Sequence, residues 1–271
     1  MPLTPLASAY AVHLLDLDGC VWVGDDPTPG AVEAVDALRA SGRSVGFLTN
    51  DGSHSPEEFV RKLWRLGFKA SIEEVVTAGA ALQHALNERH AGRSAFVIGS
   101  EAVHRHVADA GLRIVNRTTF ASRADVVVVA RHDRFDYEEL RMAAQAVLRG
   151  AELVGASRDA TFPMPDGPWP ASGAVLAAVE AATGVEAWTV GKPEPQIFRT
   201  ALDRFGDEER ALVVGDRLDA DVGGAAAAGL DAALVLTGAT GEEEAREALA
   251  AAQAKWGASG AAPRPGGAEP P

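Results

Sequence analysis

Two carboxylates two residues apart, Asp16 and Asp18 in His13-Leu14-Leu15-Asp16-Leu17-Asp18-Gly19, close an apolar run. Gly19 lets the backbone turn away sharply, so both acids reach one crevice at a strand's carboxyl end, where open α/β sheets bind ligands. The same pattern also suits a plain turn whose aspartates cap nearby amides. A second acidic cluster, Gly215-Asp216-Arg217-Leu218-Asp219-Ala220-Asp221, again follows an apolar run and supplies up to three more carboxylates. Hard oxygen ligands of this kind suit Mg²⁺, which takes one or two protein carboxylates directly. Asp219 or Asp221 can instead cap the small-residue helix at 222–228, and for Asp219 that is the preferred reading.

Between these clusters, Trp188-Thr189-Val190-Gly191-Lys192-Pro193 puts a lysine just past a strand. Alone it reads as a surface charge; beside the aspartates it is a cation able to neutralise a phosphate. In Phe47-Leu48-Thr49-Asn50-Asp51-Gly52-Ser53 a strand delivers a hydroxyl and a glycine-bearing turn to the same edge, where hydroxyl and backbone amides can hold phosphate oxygens.

These residues need a parallel sheet to bring them together. Apolar runs at 12–17, 44–48, 95–98, 125–130, 152–156, 188–190, 211–214 and 232–236 alternate with helix-like stretches, the rhythm of a parallel α/β protein. Ser55-Pro56-Glu57-Glu58 reads as a capping box with proline at the first helical position, Gly67 as its helix's end, and Asp136 with Glu139 as a second box. The middle of the chain has its own alternation, enough for a separate lobe over 77–182 inserted into a first domain of 1–76 and 183–241. Residues 242–271 read as an Ala/Glu-rich helix to about Lys255, followed by a Gly, Ala and Pro tail expected to be disordered.

The 271 residues, 47% hydrophobic, supply a full core, and the formal net charge of −13 disfavours nucleic acid and anionic membrane surfaces as partners. It would also repel an anionic substrate, so a phosphate site must be locally positive. Cys20 is the single cysteine, which forbids an intramolecular disulfide. Residues 1–10 lack a basic stretch leading into a long apolar run, and no run of 18 apolar residues occurs, so a cytoplasmic protein with no membrane span is expected.

Taken in order, Asp16-Leu17-Asp18-Gly19, Thr49-Asn50, Gly191-Lys192-Pro193 and Gly215-Asp216 with Asp221 resemble the four motifs of the haloacid dehalogenase superfamily. The chain is more narrowly similar to its p-nitrophenylphosphatase-like subgroup (subfamily IIA), which includes phosphoglycolate, pyridoxal phosphate and nucleotide monophosphate phosphatases. Supporting stretches are Pro29-Gly30, Ala182-Thr183-Gly184 and Gly191-Lys192-Pro193-Glu194-Pro195. The resemblance runs from about Val12 to Thr240 and implies a Rossmann-like α/β core with an inserted α/β cap of the C2 type. It implies that Asp16 is the nucleophile, that Asp18 is the acid and base, and that Thr49, the Asn50 amide and Lys192 hold the phosphoryl group. Mg²⁺ would be held by Asp16, the Asp18 carbonyl, Asp216 and Asp221. The substrate would be a small phosphorylated metabolite: a sugar phosphate, phosphoglycolate, glycerol phosphate, pyridoxal phosphate or nucleoside monophosphate. A homodimer formed through the cap is the implied assembly.

Departures from the family pattern are local. Asp51-Gly52 stands where Asn-Ser is common, adding a negative charge beside the phosphate loop. The cap segment Ala156-Ser157-Arg158-Asp159 replaces Thr-Asn-x-Asp, leaving Ser157 and Asp159 as candidate specificity residues. His132 stands where aspartate is frequent, and the last strand and helix of the family give way to the low-complexity end. Rival readings are a receiver-like or catalytically weak phosphate-binding protein, and hydrolysis by Cys20 with a histidine. His104 and His106, two apart on one helix, face different directions and make a poor metal pair.

Overall fold

The computed structural model describes residues 3–162, 169–205 and 211–259, with side chains to 254. After the short helix α1 (Pro5–Ala9), β1 (Val12–Asp16) opens the first sheet, and a ribbon of β2 (Trp22–Val23) and β3 (Asp26–Pro27) follows. Helix α2 (Ala31–Ala40), β4 (Ser44–Thr49), α3 (Pro56–Arg65) and β5 (Val75–Thr77) complete the first pass. The chain then crosses through α4 (Ala78–His90) into β6 (Ser94–Ile98), α5 (Glu101–Asp109), β7 (Arg113–Ile114), β8 (Val126–Val129), α6 (Tyr137–Val147) and β9 (Glu152–Gly155). A ribbon of β10 (Thr161–Phe162) and β11 (Trp169–Pro170), then α7 (Ser172–Thr183) and β12 (Trp188–Thr189), finish the second lobe. Helix α8 (Pro195–Phe205), β13 (Ala211–Gly215), α9 (Gly224–Ala228), β14 (Asp231–Leu234) and α10 (Glu242–Ser259) return to the first.

Each lobe holds a five-stranded parallel sheet, ordered β14-β13-β1-β4-β5 and β12-β9-β8-β6-β7. Successive strand residues face opposite ways, so continuous apolar runs bury both faces of a sheet. In β8, Val126 and Val128 enter a layer shared by the two lobes, while Val127 and Val129 pack under α6 and α7. In the first sheet, Val12, Leu14, Leu48 and Val76 join that shared layer with Leu82 of α4 and Phe198 of α8. Leu15, Val45, Phe47 and Val75 turn instead to Val35, Leu38, Phe59 and Leu63 of α2 and α3. The capping boxes at Ser55/Glu58 and Asp136/Glu139 form as the sequence indicates, and Gly67 follows α3 with φ of 96°.

Three expectations shift. The strand near residue 188 does not belong to the first domain: Trp188 and Thr189 pair in parallel with Val154 and Gly155, so the second sheet takes its edge strand from beyond the expected limit at 182. The cause is the short connection after α7, which returns the chain to the sheet it has just left, and the crossing follows only at Gly191. Strands β5 and β7, of three and two residues, are too short for periodicity to reveal. Helix α10 runs to Ser259, past the expected Lys255, and the remainder of the tail lies outside the described residues. Among the described residues no helix is long and apolar enough to cross a membrane.

Phe198 is fully buried in the shared layer. Phe198→Ala is therefore expected to lower unfolding stability by about 3–5 kcal/mol, read as a shifted urea midpoint at unchanged slope.

Candidate active site

Strand register assembles the site. Asp16 ends β1 opposite Leu48, one residue before Thr49, and Leu15 lies opposite Val214, two residues before Asp216. All three polar residues thereby leave the sheet at its carboxyl edge. Gly19 makes the turn possible: its φ is 91°, and a side chain there would collide with the Asp216 carboxylate.

Asp16, Asp216 and Asp221 each bring a carboxylate oxygen within 4.8 Å of the others, and all three residues are buried. Lys192 Nζ donates to Asp16 Oδ1 and, at 2.7 Å, to Asp221 Oδ1. Its side chain is only 4% exposed and that of Asp221 is 0% exposed. Burial opposes a charged ammonium, yet the two carboxylates outweigh it and hold Lys192 protonated, well above the usual lysine range. Burial likewise pushes the Asp16 carboxyl well above the ordinary range, Lys192 pulls it down, and Asp221 and Asp18 push it up again.

With all three carboxylates ionised, one ammonium leaves two negative charges in excess, which a divalent cation would balance. Asp216 supplies a second sign. Its Oδ2 accepts from Ala239 N at 2.5 Å, while its Oδ1 is buried with no hydrogen-bond partner among the described residues. A buried carboxylate oxygen without a donor is costly unless a cation meets it. The all-oxygen donor set suits Mg²⁺. Asp221 Oδ2 accepts Arg217 N at 3.0 Å, inside the wide helical turn Leu218–Gly223, whereas Asp219 pairs with Arg217 and serves the local backbone.

Asp18, two residues past Asp16, is exposed where the three clustered carboxylates are buried, and its charge is felt by Asp16. The Trp22 indole donates to Asp18 Oδ1 at 2.8 Å, and among the described residues no donor meets Oδ2. Although one face of Asp18 meets solvent, closely packed protein desolvates the rest and raises its carboxyl above the ordinary range; the Trp22 bond and Lys62 oppose this.

Asn50 is the organiser of the lysine loop. Its Oδ1 accepts Lys192 N at 2.7 Å and its Nδ2 donates to Lys192 O at 2.9 Å, holding both backbone groups of the lysine. The same Nδ2 donates to Asp159 Oδ2 of the second lobe at 2.9 Å. Thr49 Oγ1 accepts Asp51 N at 3.1 Å, so the hydroxyl hydrogen stays free to donate to an anion. Ser157 is buried behind Gly191, where a side chain would meet Ala156 O, Asn50 Oδ1 and Ser157 Cβ.

The negative charge introduced at Asp51 is answered within its own loop. Burial would raise the Asp51 carboxyl, but bonds from His54 and from the Ser53 hydroxyl and amide hold it below the usual range. His132 bonds Glu139 at 2.9 Å and so ties a second-lobe loop to the start of α6. Cys20 is buried beside Val214 O, and burial pushes its thiol far up, which removes it as a nucleophile. His104 and His106 bond Ser100 O and Gln83 Oε1 rather than each other. A surface cavity of about 590 Å³ lined by Arg39, Trp64, Phe68 and Glu74 includes none of the strand-end residues.

Sequence reasoning thus named every member of the carboxylate and lysine group. It missed Trp22, the Ala239 amide and the side-chain role of Asn50. Trp22 had a signal, four residues past Asp18; the other two depend on loops that meet only in space.

Comparison with known proteins adds an independent line. A model of the haloacid dehalogenase-like hydrolases matches residues 13–113, and a HAD-hydrolase-like model matches residues 189–257. The D-glycerol 3-phosphate phosphatase of Mycobacterium tuberculosis is 41% identical over 234 residues, which cover 86% of this chain; the chain spans 65% of that enzyme's length. An acid sugar phosphatase of Staphylococcus aureus is 32% identical over 236 residues, covering 87% of this chain and 90% of its own. A crystal structure of glycerol phosphate phosphatase from Mycobacterium tuberculosis in complex with magnesium superposes with a TM-score of 0.82 at 38% identity, over 88% of this chain and 72% of that one.

Two outcomes follow. Magnesium at about 100 times its dissociation constant is expected to stabilise the protein by about 2.7 kcal/mol, and Asp216→Ala to lose most of that gain in a thermal melt. The Asp51 bond raises the His54 pKa above its unfolded value, so its stabilisation is complete below about pH 6.5 and is lost as pH rises through the folded value. The urea-midpoint difference between wild type and His54→Ala should accordingly be larger at about pH 5.5 than at about pH 9.

Proposed function

Because this chain belongs to the haloacid dehalogenase-like hydrolases, we propose that it is a magnesium-dependent phosphatase of small phosphate monoesters acting through an aspartyl-phosphate on Asp16. One observation carries the reading: Asp16 ends β1 with Lys192 on one of its oxygens and Asp18 two residues on, in a carboxylate group that, fully ionised, has two negative charges in excess.

In this reading an Asp16 oxygen attacks phosphorus, the ester bond to the alcohol breaks, and the displacement is split into two easier steps. Lys192, the free hydrogen of Thr49 and the Asn50 backbone N–H hold the phosphoryl oxygens, where fixed positive groups lower the barrier most. Asp18, whose carboxyl is raised and whose Oδ2 is uncommitted, gives its proton to the leaving oxygen. It then takes one from the water that cleaves the aspartyl-phosphate, a contribution of roughly 10²- to 10⁴-fold. Asp16, Asp216, Asp221 and the Asp18 carbonyl would hold Mg²⁺, which when bound supplies charge neutralisation at the phosphoryl group.

Glycerol phosphate and sugar phosphates, the esters named for the mycobacterial and staphylococcal relatives, lead the substrate candidates. Phosphoglycolate, pyridoxal phosphate and nucleoside monophosphates remain in the panel to be tested. Against a catalytically weak phosphate-binding role stands the presence of every residue type the reaction needs: Asp16, Asp18, Lys192, Asp216 and Asp221.

The purified protein is expected to release phosphate from p-nitrophenyl phosphate with Mg²⁺, and Asp16→Asn to lose on the order of 10⁴-fold or more in kcat while remaining folded by circular dichroism. Full activity in that variant, or wild-type activity indifferent to chelation, would overturn the reading.

A further inference from the structure

Residues 50–54, which follow β4, are tied to the second lobe by side chains from three of its segments. Asp159 accepts from Asn50 at 2.9 Å, and Ser100 Oγ at the start of α5 donates to Ser53 O at 2.7 Å. Arg131, just past β8, donates from Nη2 to Ser53 Oγ at 2.8 Å and has Asp51 Oδ2 at 3.9 Å. Ser53 Oγ in turn donates to Asp51 Oδ1 at 2.5 Å, so guanidinium, hydroxyl and carboxylate form one chain of hydrogen bonds. At Gly52 the backbones of the lobes approach so closely that a side chain would meet Gly79 N at 3.0 Å.

Arg131 is built into this position rather than resting there. Its side chain is 17% exposed, its backbone N–H donates to Ser172 Oγ at 3.0 Å, and its guanidinium lies over the Phe162 ring, 4.1 Å from the centroid. A planar guanidinium seated on an aromatic ring keeps its donors aimed with little rotamer freedom left to lose. Beyond Ser53 the order passes to the site. Ser53 N donates to Asp51 Oδ1 at 2.7 Å, Asp51 N donates to Thr49 Oγ1 at 3.1 Å, and Asn50 holds the Lys192 backbone.

We propose that Arg131 is a positioning residue: from the second lobe it fixes the 50–54 loop through Ser53 and Asp51, and so sets Thr49 and Lys192 relative to Asp16. The aspartate that departs from the family pattern ends this chain, accepting from the Ser53 hydroxyl that the arginine holds and lying 3.9 Å from the guanidinium. The mechanical part of the proposal stands on geometry alone; its catalytic consequence rests on the phosphatase reading.

The full-length protein, Arg131→Gln, Ser53→Ala and the double variant provide the test. Amide hydrogen exchange at Asp51 and Ser53 should quicken by about tenfold or more in both single variants, with β1 and β13 unchanged. For both p-nitrophenyl phosphate and glycerol phosphate, kcat should fall by about 10- to 100-fold, by a similar factor for each ester and with KM little changed. The double variant should be no worse than the weaker single one. Unaltered exchange in both single variants, or a KM rise confined to one ester, would overturn the proposal, the second by making Arg131 a substrate contact. If Arg131→Gln does not fold, Ser53→Ala decides by the same measurements. An inactive wild type would count against the phosphatase reading, and the exchange measurement would still decide the role of Arg131.

Discussion

The buried ammonium of Lys192 between Asp16 and Asp221 is the constraint on which the rest of the structure depends. Three carboxylates at the edge of a parallel sheet repel one another and lose their water, and one lysine relieves only part of that cost. Much of the surrounding architecture reads as a response. Asn50 clamps the lysine backbone, the Ala239 amide meets Asp216, and Gly19 stands where a side chain would strike the Asp216 carboxylate. Asp216 Oδ1, without a donor among the described residues, is the atom of this group that a cation would meet.

Order in the site flows from the sheets rather than from the loops. The continuous apolar runs of β1, β4 and β13 bury both faces, and a slip of one residue would turn every buried side chain to the wrong face. Register therefore brings Asp16, Thr49 and Asp216 to one edge, and the loop after β4 then fixes the Thr49 hydroxyl there through the Asp51 amide. Lys192 has no such strand beneath it, since the preceding strand belongs to the other lobe. Its position depends on Asn50 and on the Gly191 amide, which donates to Ala156 O at 2.8 Å.

Legibility follows the same division. Asp16, Asp18, Lys192, Asp216 and Asp221 could be read from the chain because each stands just past an apolar run, within motifs of fixed order. Trp22, four residues past Asp18, left a local signal; Asn50 as a clamp and Arg131 left none, because their partners lie in distant segments or in the other lobe. The limit at 182 failed because periodicity identifies a strand at 188 but not the sheet that receives it. Asp51 read as an added charge in one dimension; in three it is an acceptor already engaged by His54 and Ser53, with Arg131 nearby.

The apolar layer shared by the lobes bears on how such a protein can diversify. The chain passes into the second lobe near Ala78 and leaves it near Gly191, which would suit wholesale exchange of that lobe for another. Yet Val97, Val126, Val128 and Val154 on one side interlock with Leu14, Leu48 and Val76 on the other through α4 and α8. A transplanted lobe must carry a matching apolar surface or leave a cavity at the seam. Recombination of whole lobes is therefore constrained by the seam, and laboratory chimeras should keep α4 and α8 with the sheet they were selected against.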